Sequence, residues 1–379
     1  MTAPGSDAGP GRPPTENWPP TDGRSSTDGR SSAEDWSSAE WRAAATGWLD
    51  DRLAAAGRVR TGSVTQPRLR PWGTVLTAPT DRGRVWLKAP GQETAFEVPL
   101  YRLLAEVVPG HVLVPLAVDV GRGWLLLPDG GTPLGDRATA DEPPDDGGAS
   151  GDRTRADELT GAVAAVVPRY AELQRALAGR VDDLLACGLA DMRPAALPGR
   201  LDEAVEAIGR YLGSHADDDD RAALGRVTAA RPRVVEWCER LAAGAVPASI
   251  DHNDLHAWNV LVTPPGRACF YDWGDAVVAH PFASMLVTLG FFRSELRLAD
   301  DDPRVLRVRD AYLEVFTDLG PRAELVTELE LACRVGRIAR SLVWLRAVRA
   351  EGFEQAGAFA RAPLLTLAAV LAESPFELG

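Results

Sequence analysis

The chain has almost no lysine and almost no asparagine. Of its 41 basic residues only Lys88 is a lysine, and asparagine occurs only as Asn17, Asn253 and Asn259. A lysine ammonium is compact enough to sit between phosphate oxygens, whereas the arginine guanidinium is a larger planar fork. An amide oxygen is a neutral ligand for a hard cation. Coding bias alone would explain this scarcity, but the sequence around Lys88, Asn253 and Asn259 favours a functional role for these residues.

Other absences exclude whole classes of protein. The four cysteines have no CxxC spacing, which argues against a zinc site or a disulfide framework and indicates a reducing compartment. There is no apolar run of membrane-spanning length and no apolar targeting segment, so we expect a cytoplasmic protein without a membrane partner. The net charge of −13 disfavours nucleic acid as a partner and is compatible with a cationic substrate. A serine hydrolase is also disfavoured, because no GxSxG elbow is present.

Composition divides the chain into a tail and two lobes. Residues 1–36 are rich in Pro, Gly, Ser and Asp and repeat TDGRSS in tandem, so we predict a disordered tail. A small lobe is predicted at 37–130, beginning with a helix capped at Ser37. A larger, mainly helical lobe is predicted at 131–379. Its polar segment 135–156 is predicted to be a flexible insertion.

A β-hairpin is predicted around Lys88. Residues 73–77 and 84–89 alternate as strands do and are separated by a turn rich in polar residues. The hairpin has no GxGxxG sequence. Glu97, early in the following helix, is predicted to form an ion pair with Lys88. The alternatives are a capping box with Thr94, or Glu93 as the lysine's partner.

Two further strands, at 112–118 and 123–127, are predicted to complete the small sheet. The second leads into Pro128, Asp129 and Gly130, which are predicted to connect the small lobe to the large lobe. Proline lacks an N–H but keeps its carbonyl, so Pro128 can accept a hydrogen bond while Asp129 or Gly130 donates one. An ordinary loop is the alternative interpretation.

The most informative stretch is the polar loop at 252–259, which lies between two apolar runs. It begins with His252 and places Asp254 five residues before Asn259, and a second short strand delivers Asp272. An aspartate, an asparagine and a second aspartate in this order have the spacing of a kinase base and two metal ligands.

With these motifs the chain resembles the aminoglycoside phosphotransferase and choline kinase-like superfamily. The resemblance implies an α+β bilobal protein-kinase-like fold, with a small antiparallel-sheet lobe and a larger mainly helical lobe. It further implies that Asp254 is the catalytic base, that Asn259 and Asp272 bind Mg²⁺, and that Lys88 holds the α- and β-phosphates of ATP. In this kinase-like plan Pro128, Asp129 and Gly130 form the hinge that pairs with adenine.

Several residues are expected to support the catalytic loop. His252 is predicted to brace it through backbone hydrogen bonds, and His256 to orient Asp272 or a phosphate. Many relatives carry an aspartate where this chain has Ser284. Ser284 is therefore a candidate for the missing brace, and Asp275 and His280 are the alternatives.

The acceptor pocket is predicted on a late helix within residues 324–349. Arg334, Arg337 and Trp344 recur at helical spacing beside its apolar stripe. A solvated arginine face with a tryptophan at its edge is the alternative interpretation.

These features predict an ATP- and Mg²⁺-dependent enzyme that phosphorylates a hydroxyl of a small molecule such as an aminoglycoside, an amino sugar or a related metabolite. The alternatives are a non-catalytic nucleotide-binding module and a protein kinase. The protein-kinase alternative is disfavoured because the sequence lacks a glycine-rich loop and an Ala-Pro-Glu segment.

Overall fold

The computed structural model describes residues 36–136, 149–263 and 267–379, and from 149 to 155 it describes only the backbone. The predicted disordered tail and most of the predicted insertion at 135–156 therefore lie outside the described residues. Within the described ranges, no helix has both the length and the apolar character needed to span a bilayer.

The small lobe is a five-stranded antiparallel sheet with a helix on each face. Its strands lie in the order β1-β2-β3-β5-β4. They are β1 (Thr65–Arg70), β2 (Gly73–Thr80), β3 (Gly83–Pro90), β4 (Ala117–Asp119) and β5 (Trp124–Pro128). Helix α1 (Ala39–Ala55) packs on one face and helix α2 (Glu97–Val107) on the other.

Alternation along β3 sends Lys88 to the face of the sheet that carries α2. Leu87 and Ala89 are buried against α1, and successive strand residues point to opposite faces. The predicted hairpin is confirmed, with Val75 opposite Lys88 in the register of β2 and β3. Gly83 begins β3 with φ of 95°, a backbone angle that glycine adopts without strain.

Two predictions for this lobe were wrong in detail. The cap of α1 is Ser38, whose Oγ accepts a hydrogen bond from the Trp41 N–H, and not Ser37. The strand predicted at 112–118 is observed only as β4, and at its predicted start Val112 bridges to Phe270 of the large lobe instead.

The large lobe is mainly helical. Its helices are α3 (Ala149–Leu177), α4 (Val181–Ala186), α5 (Leu197–Leu212), α6 (Asp218–Ala229), α7 (Arg231–Ala243), α8 (Met285–Glu295), α9 (Pro303–Leu313), α10 (Arg322–Glu351), α11 (Phe353–Ala356) and α12 (Ala362–Ala368). Helix α3 begins seven residues before the predicted end of the insertion at 156. Pro198 and Pro232 lie in the first turns of α5 and α7, where a missing N–H does no harm.

Two small sheets place the active-site loops. In the first, β10 (Arg267–Phe270) pairs with β9 (Val260–Thr263), which pairs with β6 (Thr132–Pro133). In the second, β11 (Val277–Ala279) lies between β7 (Ala190–Met192) and β8 (Ser249–Asp251). The sequence predicted β8, β9 and β10. Strands of two or three residues such as β6, β7 and β11 are too short to show a periodic pattern.

Candidate active site

The loop between β8 and β9 holds Asp254 in a buried position. Asn253 precedes it with φ of 59°, a left-handed conformation that asparagine tolerates better than most residues. The Asn259 Nδ2 donates to the Asp254 carbonyl at 2.9 Å and to its Oδ2 at 3.1 Å. The five-residue spacing therefore closes the loop on itself and fixes one oxygen of the carboxylate.

The other oxygen of Asp254 faces Arg340, a residue of α10. The distance from Arg340 Nη2 to Asp254 Oδ1 is 2.8 Å, and Nη1 donates to the Asn253 carbonyl at 2.8 Å. Burial raises the pKa of Asp254, but the charges of Arg340 and then His256 outweigh it, so the pKa lies well below the usual range. Asp254 is therefore ionised near neutral pH and can accept a proton or a hydrogen bond.

Lys88 forms the predicted ion pair with Glu97 and a second one with Asp272. Its Nζ lies 2.7 Å from Glu97 Oε1 and 2.6 Å from Asp272 Oδ1. Thr94 instead donates its hydroxyl hydrogen bonds to the Trp72 and Gly91 carbonyls, so the capping box is not formed. Burial lowers the pKa of Lys88, but the two carboxylates outweigh it, and the pKa lies above the usual value.

Asp272 lies two residues after the end of β10 and lines the cleft between the lobes. Its φ of 63° makes the turn that leads into the short helix Trp273–Asp275. Burial raises its pKa, but Lys88 and then Arg68 outweigh this effect and keep the pKa below the usual value. An ionised carboxylate is thereby placed beside the Asp254–Asn259 loop.

Ser284 supports the catalytic loop through Asp251, the last residue of β8. The Ser284 hydroxyl donates to Asp251 Oδ1 at 2.6 Å, and the Asn253 N–H donates to the same oxygen at 2.8 Å. The Tyr170 hydroxyl lies 2.8 Å from Ser284 Oγ and accepts from the His252 N–H at 3.0 Å. This places Ser284, one of the three candidates for the brace, in contact with the loop.

The two histidines of the loop have different surroundings. His252 Nε2 lies 2.9 Å from the Tyr271 carbonyl, the kind of backbone contact that we predicted. Burial lowers the pKa of His252, which favours the neutral ring as donor. His256 Nε2 lies 3.6 Å from Asp254 Oδ2, so its carboxylate contact is with Asp254, whereas the prediction was Asp272 or a phosphate.

Asp275 and His280, the alternatives to Ser284, face other partners. Asp275 forms ion pairs with Arg346 and Arg340 of α10. His280 Nε2 lies 3.8 Å from Glu328 Oε2. Neither contact touches Asp251.

Two of the residues predicted for the acceptor pocket lie elsewhere. Arg334 donates to the carbonyls of Ala372 and Glu373, and the buried Arg337 donates to those of Ser374 and Glu377. These arginines anchor the carboxy-terminal segment. The prediction followed a face of α10 that repeats correctly but is rotated away from the cleft.

The face of α10 that does line the cleft includes Arg340, Val343, Trp344 and Ala347. These residues have the i, i+3, i+4, i+7 spacing of one helical face, which can be recognised in the sequence. Nothing in the sequence, however, showed which helical face meets the catalytic loop. Of the predicted residues only Trp344 belongs to this face, and Arg340 and Arg346 were missed.

Lys88 and its two carboxylates meet Asp254 and the inner face of α10 in one cleft between the lobes, here called the active-site cleft. Its space, including the part open to solvent, is about 970 Å³. The residues that line it are Arg68, Arg70, Trp72, Gly73, Thr74, Val75, Lys88, Pro90, Thr94, Glu97, Asp254, Asp272, Gly274, Asp275, Arg340, Val343, Trp344, Arg346 and Ala347.

The predicted hinge lies between the two lobes. Pro128 ends β5, and the Gly131 N–H donates to Asp129 Oδ1 at 3.1 Å. A Cβ at Gly130 would lie 2.2 Å from a methyl carbon of Leu261, so the segment passes close to β9. Adenine pairing at these residues stays a prediction.

The family model described as "Phosphotransferase enzyme family" (APH) matches residues 80–325, well over half of the chain. The chain therefore belongs to this phosphotransferase family. It is an enzyme, a small-molecule kinase with the predicted bilobal α+β fold. No curated protein matches it.

Solved structures share the fold at low sequence identity. An ethanolamine kinase from Plasmodium vivax is similar with a TM-score of 0.54 and 11% identity over 82% of each chain. A choline/ethanolamine kinase family protein from Mesorhizobium loti gives 0.50 and 17%, covering 88% of this chain and 96% of its own. A choline kinase from Streptococcus pneumoniae gives 0.50 and 12%, covering 86% and 99%.

Proposed function

We propose that the protein transfers the γ-phosphoryl group of ATP to a hydroxyl of a small molecule, with Mg²⁺. The observation that carries this proposal is the meeting of two groups in one cleft. Lys88, held between Glu97 and Asp272, lies across the cleft from the Asp254–Asn259 loop. A phosphate-binding cation, two oxygen ligands and an ionised base are the parts that phosphoryl transfer requires.

The oxygen atoms of Asn259 and Asp272 fit Mg²⁺. In the described ranges, no group of three or more His, Cys, Asp or Glu residues could hold a metal by itself. Mg²⁺ is commonly bound by one or two protein oxygens and completed by substrate phosphates and water. When bound, the ion would neutralise charge that develops on the phosphoryl oxygens.

Asp254 would orient the acceptor hydroxyl and take its proton late, because the transition state of phosphoryl transfer is loose. Its carboxylate is fixed by Asn259 on one side and Arg340 on the other. A fixed carboxylate increases the reaction rate because it holds the acceptor hydroxyl in line, and a well-oriented reactant avoids the entropy loss of a free encounter.

Two other functions are less well supported. A non-catalytic nucleotide-binding module would not need an ionised, fixed Asp254 beside Asn259. A protein kinase is disfavoured by the family match to enzymes of a different class and by the missing glycine-rich loop.

The test is ADP release by the purified full-length protein on a panel of hydroxyl compounds, with and without Mg²⁺. Asp254→Asn, which keeps the shape, and Asp254→Ala should each lower turnover by about 10²–10⁴-fold. Both should leave the affinity for Mg²⁺–ATP within a few-fold of wild type in calorimetry. Turnover within a few-fold of wild type in both variants would remove Asp254 from this role.

A further inference from the structure

The active-site cleft does not share the acidic charge of the chain. The chain carries a net charge of −13, but the cleft is lined by more basic than acidic side chains. The basic ones are Arg68, Arg70, Lys88, Arg340 and Arg346, and the acidic ones are Glu97, Asp254, Asp272 and Asp275.

Each of these carboxylates already faces a protein cation. Glu97 and Asp272 share Lys88, as described above. Asp254 Oδ1 lies 2.8 Å from Arg340 Nη2. Within the described lining of the cleft, no carboxylate is left without a cation beside it.

Asp275 faces α10, the helix predicted to carry the acceptor pocket, and is covered on both oxygens. Arg346 forms an ion pair with its Oδ1 and also donates to the Gly274 carbonyl at 3.1 Å. Arg340 Nη1 lies 3.5 Å from its Oδ2. The side chains of Asp275 and Arg346 are 24% and 21% exposed, so a bound acceptor can reach both.

The two arginines of the cleft that have no carboxylate partner lie on the side of the cleft opposite to Asp275 and Arg346. The side chains of Arg68 and Arg70 form no hydrogen bond or ion pair in the part of the chain that the structure describes. Arg68 is close enough to Asp272 to influence its charge. The excess positive charge is therefore on the side where the triphosphate of a nucleotide would lie, and the acceptor side is close to neutral.

An ammonium group entering the acceptor side would meet Arg340 or Arg346 at nearly the same distance as the carboxylate that attracts it. The attraction and the repulsion then largely cancel. A hydroxyl group, by contrast, can donate to the carboxylate and accept from the guanidinium of the same ion pair. Trp344 adds an aromatic surface to this wall, which suits the apolar face of a ring.

We propose that the acceptor is an uncharged polyhydroxyl compound of the carbohydrate class, and that the Asp275–Arg346 pair selects it against ammonium-bearing alcohols. This proposal rests on the proposed function. The two arginines of α10 that contact Asp275 are Arg340 and Arg346. Both lie beyond residues 80–325, the part of the chain that matches the family model.

The test compares matched acceptors that differ by one charge. ADP release is measured with neutral hexoses and simple glycosides, with amino sugars in N-acetylated and protonated free-amine forms, and with choline beside its uncharged tert-butyl isostere. We expect kcat/KM for each neutral member to exceed that of its charged partner by on the order of tenfold or more. Faster turnover of the ammonium forms, or no turnover of any neutral sugar, would overturn the proposal.

Variants of Asp275 and Arg346 test whether this ion pair causes the preference for neutral acceptors. Arg346→Gln leaves Asp275 with less compensation and should raise kcat/KM for the protonated amino sugar while lowering it for the N-acetylated form. Adding Asp275→Asn to Arg346→Gln removes the carboxylate and should abolish the gain, whereas Arg346→Lys should keep the wild-type preference. An unchanged ratio of the two substrates in Arg346→Gln would contradict selection by this pair.

Failure of this proposal can be distinguished from failure of the proposed function. Mg²⁺-dependent ATP binding, measured by calorimetry without acceptor, reports on nucleotide use alone. Failure of that binding would contradict the phosphotransfer proposal. Normal binding combined with a preference for ammonium acceptors would contradict only the carbohydrate proposal.

Discussion

Replacing Lys88 with arginine should be nearly as damaging as replacing it with alanine. The Lys88 ammonium lies 2.7 Å from Glu97 and 2.6 Å from Asp272, so a single small cation satisfies both carboxylates. A guanidinium is longer and planar and cannot place its charge at the same point. Because Asp272 is also a proposed Mg²⁺ ligand, displacement of the cation would also displace the metal-bound phosphates.

The magnitude follows from this geometry. A misplacement of ~1 Å can lower a rate by ~10²-fold, and we expect a loss of that order in Lys88→Arg. In Lys88→Ala the fully buried Glu97 would lose its cation, and loss of one partner of a buried pair costs about 3–5 kcal/mol of stability. The double variant Lys88→Ala, Glu97→Gln removes the unpaired charge and should recover most of that stability without recovering rate.

ADP release is compared at saturating Mg²⁺ and saturating acceptor in wild type, both single variants and the double variant. Thermal melts of the same samples separate lost stability from lost catalysis. Wild-type turnover in Lys88→Arg would refute this reasoning and would leave the single lysine as a product of coding bias.

Two further predictions concern carboxylates next to the catalytic loop. Asp272→Asn should weaken the Mg²⁺-dependent part of ATP binding in calorimetry, because an amide does not neutralise the cation's charge; equal weakening without Mg²⁺ would speak against a metal ligand. Burial raises the pKa of Asp251 to about 6, so the folded state keeps a proton that the unfolded chain has released, and wild-type stability should fall as pH rises from about 4 to about 6. Asp251→Asn should lack this fall and gain up to about 3 kcal/mol relative to wild type above pH 7. Parallel plots of wild-type and variant stability against pH between about pH 4 and about pH 7 would contradict this prediction.

The charge of the whole chain is a poor guide to the charge of the cleft. A net charge of −13 is compatible with a cationic substrate, but the acidic residues of the cleft are neutralised by partners distant in sequence. Interactions at close range in a partly buried site outweigh distant surface charges, which water and salt screen.

The sequence by itself determined the parts of the site that are close together along the chain. The hairpin that carries Lys88 and the loop that joins Asp254 to Asn259 follow from alternation and short spacing. Local geometry fixes such elements, because strand period and turn length leave few alternatives. The scarcity of lysine and asparagine added a signal that needed no structure.

Only the tertiary structure decided which distant residues meet these elements. Arg340 reaches Asp254 from 86 positions along the chain, and Ser284 reaches Asp251 from 33. Both contacts depend on the rotation and placement of packed helices, and a periodic pattern gives a helix's apolar face without giving the neighbour of each polar side chain. For that reason Arg334 and Arg337 were the wrong arginines, although the helix that carries them was the right one.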